Sequence, residues 1–268
     1  MITTNPLLGD APLNNLLVES ARRGRLSDVT HLLSLGADPL FEESHALRVA
    51  AANGHTQCVK RLIPPSNPKD GDSKALCSAA ENGHADCVQL LIPVCDPKAK
   101  NSIAIYLAAS HGRTECVRLL VPFSDFQNGS LGCLALTRAT EVGDLESVKL
   151  LIPVSESLAF NDRPFREAVV GGHVEIIKAL LAHASTFLAS FDPALALLLA
   201  DGRVSVVSAL LSHEPTLFDS SDPSTLALAA SADGHDELAA FFSERISRRL
   251  ADVSTLSSTP KSSPSPRL

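Results

Sequence analysis

The side chains in this sequence best suited to chemistry are its cysteines and histidines, and they stand in register. Cys58, Cys87 and Cys116 are 29 residues apart, and His55, His84, His173 and His235 each follow a glycine. Aligned thiols and imidazoles are the donors of zinc sites, and paired thiols form disulfides. Geometry and substitution argue against both. Equivalent positions on stacked helices lie about 8–10 Å apart, whereas a disulfide needs Cα atoms within about 7 Å. Farther along the chain Ser147, Ile176 and Val206 fill the cysteine slot, and Arg25, Arg113, Asp144 and Arg203 fill the histidine slot. A metal ligand does not tolerate such exchanges. The cysteines therefore read as small core residues and the histidines as hydrogen-bonding partners of a neighbouring loop. Cys77, Cys95 and Cys133 occupy other slots, make no zinc-type spacing and form no Cys-x-x-Cys. No metal and no other cofactor is expected, and a reducing, cytoplasmic setting is. Catalytic templates such as Gly-x-Ser-x-Gly, His-Glu-x-x-His or a phosphate-binding glycine loop are missing, so no enzymatic activity is expected.

The elements that hold these residues repeat. Residues 46–64 read ALRVAAANGHTQCVKRLIP, residues 75–93 ALCSAAENGHADCVQLLIP and residues 104–122 AIYLAASHGRTECVRLLVP. Residues 135–153, with Leu134 one residue more at the front, read LALTRATEVGDLESVKLLIP, and the copies beyond these four are weaker. The marker glycines Gly24, Gly54, Gly83, Gly112, Gly143, Gly172, Gly202 and Gly234 are spaced by 30, 29, 29, 31, 29, 30 and 32 residues. Each copy has one grammar. A segment with a small-residue face, such as Leu76 with Ala79 and Ala80, predicts a helix that lets its neighbour approach closely. The glycine ends that helix, since a left-handed backbone is cheapest there. Val88, Leu91 and Ile92, at i, i+3 and i+4, predict a second helix. Pro93 closes it. One such hairpin cannot bury its own apolar face, so stacked copies must form an all-α helix-turn-helix solenoid of about eight repeats.

The core Ala-Ala-x-x-Gly-His, followed by x-x-Val-x-x-Leu-Leu, resembles the ankyrin repeat over roughly residues 13–245, and Gly36-Ala37-Asp38 matches its loop. Two departures stand out. Ankyrin repeats run about 33 residues and open with Thr-Pro-Leu-His. Here the period is nearer 30, and Ser44-His45-Ala46-Leu47 and Ser73-Lys74-Ala75-Leu76 replace that tetrapeptide. The missing residues fall in the connections between repeats, as at residues 94–101, which predicts short fingers or plain loops.

Domain boundaries follow from the repeats. Residues 1–12 precede the solenoid, residues 13–253 form it, and residues 254–268, rich in Ser and Pro, are expected to be a disordered tail. That tail carries Thr259-Pro260, Ser263-Pro264 and Ser265-Pro266, candidate phosphorylation sites, and Asn128-Gly129-Ser130 reads as a turn. Glu19, Ser20, Arg22 and Arg23 give the first copy the polar face of a cap. Leu238, Phe242, Ile246 and Leu250 predict a longer last helix, with Arg245, Arg248 and Arg249 facing out. A formal charge of −7 and an aromatic content of 4% argue against a nucleic-acid partner. The longest apolar run, residues 193–200, cannot span a bilayer, and residues 1–12 show no leader-like pattern, so no membrane partner is expected.

The resemblance implies a protein-binding scaffold whose concave groove is lined by the two residues before each marker glycine. In that row stand Arg22, Arg23, Asn53, Glu81, Asn82, Ser110, His111, Glu141 and Val142, with Tyr106 on the same helix as Ser110. These residues vary while the frame stays constant. The expected function is non-catalytic binding of another protein by a monomer. A microbial effector acting in a host cytosol, and a structural spacer in a larger assembly, are the other readings.

Overall fold

First helices carry alanines where the next repeat must approach, and the second helices of the second to fifth repeats, ending at Leu62, Leu91, Leu120 and Leu151, are each followed by proline two residues on. The computed structural model describes residues 11–126, 131–155, 163–183, 203–213, 223–232 and 234–257. Among these residues there are helices and no strands. The chain divides into two units, one ending at Gly171 and the other starting at Gly172.

In the first unit the hairpins are α1 (Ala11–Arg22) with α2 (Leu26–Ser34), α3 (Phe41–Ala52) with α4 (Thr56–Leu62), and α5 (Asp70–Asn82) with α6 (Ala85–Leu91). They continue as α7 (Ala99–Ser110) with α8 (Thr114–Leu120), α9 (Leu131–Val142) with α10 (Leu145–Leu151), and α11 (Arg163–Gly171). First helices pack on first helices in chain order, and second helices do the same. Ala46, Leu47, Ala50 and Ala51 of α3 are buried, as are Ala75, Leu76, Ala79 and Ala80 of α5. Cys58, Val59 and Leu62 recur as Cys87, Val88 and Leu91 and as Cys116, Val117 and Leu120, all enclosed. Burying a leucine such as Leu91 contributes about 1.5–3 kcal/mol.

Two ties join neighbouring repeats. One runs over the marker glycines. Gly54 has φ +72°, and a Cβ placed on it would come 2.6 Å from Nδ1 of His84. The imidazole of the next repeat thus lies flat on the glycine, and its Nε2 donates to the Ala52 carbonyl at 3.1 Å. His55 treats Gly24 in the same way and donates to the Arg22 carbonyl at 2.8 Å. Arg113 lies over Gly83 and donates from Nε to the Glu81 carbonyl at 3.1 Å. The glycine is needed twice, for its left-handed backbone and for the missing side chain.

The other tie runs through the connections, which are plain loops. The buried hydroxyl of Ser44 accepts the Asn67 N–H at 3.0 Å, that of Ser73 the Asp96 N–H at 2.9 Å, and that of Ser102 the Asp125 N–H at 2.7 Å. In the first repeat Asn14 does the same for Asp38 N–H, at 2.7 Å. Each of these serines ends a run of three left-handed residues: Glu42-Glu43-Ser44, Gly71-Asp72-Ser73 and Lys100-Asn101-Ser102. Left-handed backbone costs roughly 1–2 kcal/mol per residue outside glycine. The buried hydrogen bond and the exposed pairs Glu43–Lys74 and Asp72–Lys100 accompany the strain.

The second unit contains α12 (Val174–His183), α13 (Val204–His213), α14 (Pro223–Ala232) and α15 (Asp236–Ser257). Its core includes Ile176, Ile177, Val206, Val207, Leu210, Leu238 and Phe242. Arg203 lies over Gly172 as Arg113 lies over Gly83. The long last helix matches the repeat of apolar residues noted above. It continues through residues 254–257, which the sequence had assigned to the tail, because no proline intervenes before Pro260. Gly202, the Asn128 acceptor and the Ser/Thr-Pro pairs of the tail lie outside the described residues.

Two substitutions test these ties in urea unfolding. Ser73→Ala leaves the Asp96 N–H without its buried partner and should lower stability by about 1–3 kcal/mol. Gly54→Ala should be destabilising, and part of that loss should vanish in a His84→Ala background, where the ring no longer meets the new methyl.

Candidate functional site

The row that precedes the marker glycines lies at the C-terminal ends of the first helices. There the helix carbonyls run out of intrahelical donors. Several row residues supply them. Asn53 Nδ2 donates to the Val49 carbonyl at 2.7 Å and Asn82 Nδ2 to the Ser78 carbonyl at 2.8 Å. Ser110 Oγ donates to the Tyr106 carbonyl at 2.8 Å, and His111 Nδ1 to the Leu107 carbonyl at 3.0 Å. Asn53, Asn82 and His111 remain exposed, so each has one edge on its own helix and another facing solvent. Polar residues in the last helical turn are a capping signal, and it was present in the sequence.

Arg22 and Arg23 are exposed and share Glu19, at 3.5 and 2.7 Å. The half-buried Glu81 carboxylate lies 3.9 Å from Nε2 of His111 in the next repeat. Val142 is 49% exposed and rests on Gly112, whereas a ring or guanidinium lies over Gly24, Gly54, Gly83 and Gly172.

Tyr106 is half-buried and is both a surface and a packing residue. Its hydroxyl accepts from Arg138 Nε at 2.9 Å, and the guanidinium carbon lies 5.5 Å from the ring centroid. Arg138 also pairs with Glu141, and these two partners raise its already high pKa. Glu141 reaches Arg163 at 3.8 Å, and Arg163 reaches Glu167 at 3.7 Å. A chain of charge thus crosses α7, α9 and α11. It brings together Tyr106 and Glu141, which the sequence reading had named separately, and adds Arg138 and Arg163, which it had missed. Arg138 stands five residues before its glycine rather than one or two, so the narrow rule for the row passed over it.

Cys58, Cys87, Cys95 and Cys116 are buried in the stack, and Cys77 is half-buried. Burial pushes the Cys116 and Cys77 thiols up to about 11 and the Cys95 thiol up to about 12. Cys87 approaches Thr56 Oγ1 of the preceding repeat at 3.7 Å, and Cys95 donates to the Pro68 carbonyl at 3.2 Å. Among the described residues no three His, Cys, Asp or Glu side chains converge as metal ligands would. No described helix is long and apolar enough to cross a membrane.

Stacked helical hairpins with glycine-marked turns and an exposed, variable row define a helical repeat protein. The family model described as ankyrin repeats (3 copies) matches residues 17–101 and 76–162, together more than half of the chain, and the protein belongs to the ankyrin-repeat family. The crystal structure of the human ASB11 ankyrin repeat domain is similar to it, with 25% sequence identity and a TM-score of 0.62, covering 74% of this chain and 97% of that one. No curated protein matches the sequence. Ankyrin repeats generally serve as protein–protein interaction modules and are generally non-catalytic.

The thiol shifts predict slow chemistry. With folded pKa values about two units or more above the ordinary value near 9, Cys77, Cys95 and Cys116 should react with a thiol reagent at pH 8 about a hundredfold or more slowly than in denaturant. The same shifts make stability fall as pH rises above about 9, where unfolded thiols ionise and folded ones stay protonated. Ellman titration of native and unfolded protein checks the first outcome, and alkaline unfolding curves check the second.

Proposed function

We propose that this protein is a non-catalytic scaffold that binds another protein along the exposed row of its first helices, on the concave face expected of its family. The observation that carries this reading is a contrast between slots. The alanine, cysteine, valine and leucine positions are enclosed and nearly constant from repeat to repeat. The row beside them changes from Arg22-Arg23 to Ala52-Asn53, Glu81-Asn82, Ser110-His111 and Glu141-Val142, and each pair has at least one exposed member. Packing cannot account for that variation, because these residues contribute little to the core.

Beside the row, on the helix that carries Ser110, the strongest anchor is Tyr106. A half-buried tyrosine braced by an arginine is rigid, presents an apolar face and loses little freedom on binding, which is the profile of an interface hot spot. Arg138, Glu141 and Arg163 supply polar contacts around it. The free cysteines support work in a reducing compartment.

The test starts with affinity capture and identification of the protein retained by the wild type. Its affinity is then measured for a Tyr106→Ala, Glu81→Arg double variant, which spares the capping residues Asn53, Asn82 and His111. Loss of a hot spot should weaken binding by about thirtyfold or more with an unchanged circular dichroism spectrum. Equal affinity in a folded variant would remove the row from the binding surface.

A further inference from the structure

The first and last described repeats carry the two halves of the joint that links the first four repeats. In the first three joints, His55, His84 and Arg113, each following a marker glycine, lie over Gly24, Gly54 and Gly83 of the preceding repeat and donate to the carbonyl two residues before that glycine. In the first repeat the residue after the marker glycine is Arg25. It is exposed, with a loose contact of 3.7 Å to Asp28. In the last repeat the marker is Gly234, with φ +80°, and no described atom lies within 4 Å of where its Cβ would be.

The surrounding surfaces agree. A groove of about 270 Å³ opens between α1 and α2; Leu16 and Leu32 line it together with the polar and charged side chains of Glu19, Ser20, Arg23, Arg25, Asp28 and His31. In the second repeat the slots of Leu16, Ser20, Asp28 and Leu32 hold Ala46, Ala50, Cys58 and Leu62, all buried. No described repeat packs on this side of α1 and α2, and the groove lies where a preceding repeat sits against each later one. Its cap is incomplete: Leu16 is 55% exposed, and Leu26 beside Arg25 is exposed as well. In the last repeat Leu228 is 72% exposed. It stands in the slot of Tyr106, from which Tyr106 reaches Arg138 of the following repeat. Capping repeats normally turn a polar face outward, and here the first and last described repeats show the apolar side chains Leu16, Leu26 and Leu228 near a half-joint that no described residue completes.

We infer that a second copy of this chain covers the groove: copies associate head to tail, with Arg25 of one over Gly234 of the next and Leu228 packed beside it. The contact is heterologous, since different surfaces meet, and each joined pair leaves one free head and one free tail. Leu16 replaces the alanine of interior repeats and holds the incoming helices farther out. Association is therefore weaker than intramolecular stacking.

Sedimentation velocity of the full chain over a wide concentration range tests this. The wild type should grow in mass with concentration. Arg25→Ala removes the donor and should weaken association by about tenfold. Leu228→Asp puts a charge in the joint and should abolish it. Both residues are exposed, so the variants should keep the wild-type circular dichroism. The decisive sample mixes the two at concentrations where each alone is a single chain. The Arg25→Ala protein keeps a sound tail and the Leu228→Asp protein a sound head, so the mixture should form dimers and stop there. A wild type that stays a single chain at every concentration overturns the inference, as does a mixture that associates no better than its components. Pairing of the groove with residues 1–10 of the same chain would appear as the first of these results.

Discussion

The structure depends on one contact made again and again: a flat or extended polar side chain lying on a bare glycine. The glycine ends one helix in a left-handed turn, and the absence of a side chain leaves a surface on which the next repeat rests an imidazole or guanidinium. The same group then satisfies a carbonyl left over at that helix end. Chain reversal, close approach and carbonyl satisfaction are met at a single position. This explains why the marker glycines are the most regular feature of the sequence. It also explains why His and Arg exchange so freely behind them, since both are planar donors.

The connections solve a second problem. Repeats of about 30 residues have too little chain for the hairpin finger of a 33-residue repeat. The chain instead makes a tight left-handed turn and anchors it with a buried serine. The strain is localised, and it recurs in three consecutive repeats with nearly the same angles. A buried hydroxyl that accepts a main-chain N–H from the next loop sets the distance between loops as firmly as the glycine contact sets the distance between helices.

Much of this was legible in the sequence. The period, the hairpins, the enclosed cysteines and the loop-bonding histidines all follow from which residue types recur and which are exchanged. The serines were seen only as replacements for a familiar tetrapeptide, because nothing in a linear pattern says that a hydroxyl is buried or that three non-glycine residues turn left-handed. For the candidate site the legibility was partial. Exposure of the row could be read from its variability. That Asn53, Asn82, Ser110 and His111 also close their own helices is a matter of local geometry. That Tyr106 and Glu141 meet through Arg138 depends on how neighbouring repeats are aligned, which spacing alone does not determine.

Because the polar group follows the glycine within one repeat, the second and third repeats each carry both a socket and a plug. An in-frame gain or loss of one such repeat therefore joins compatible surfaces without compensating substitutions. Unequal recombination between the near-identical middle copies can lengthen or shorten the exposed row one step at a time, and the recognition surface can evolve in extent separately from its composition.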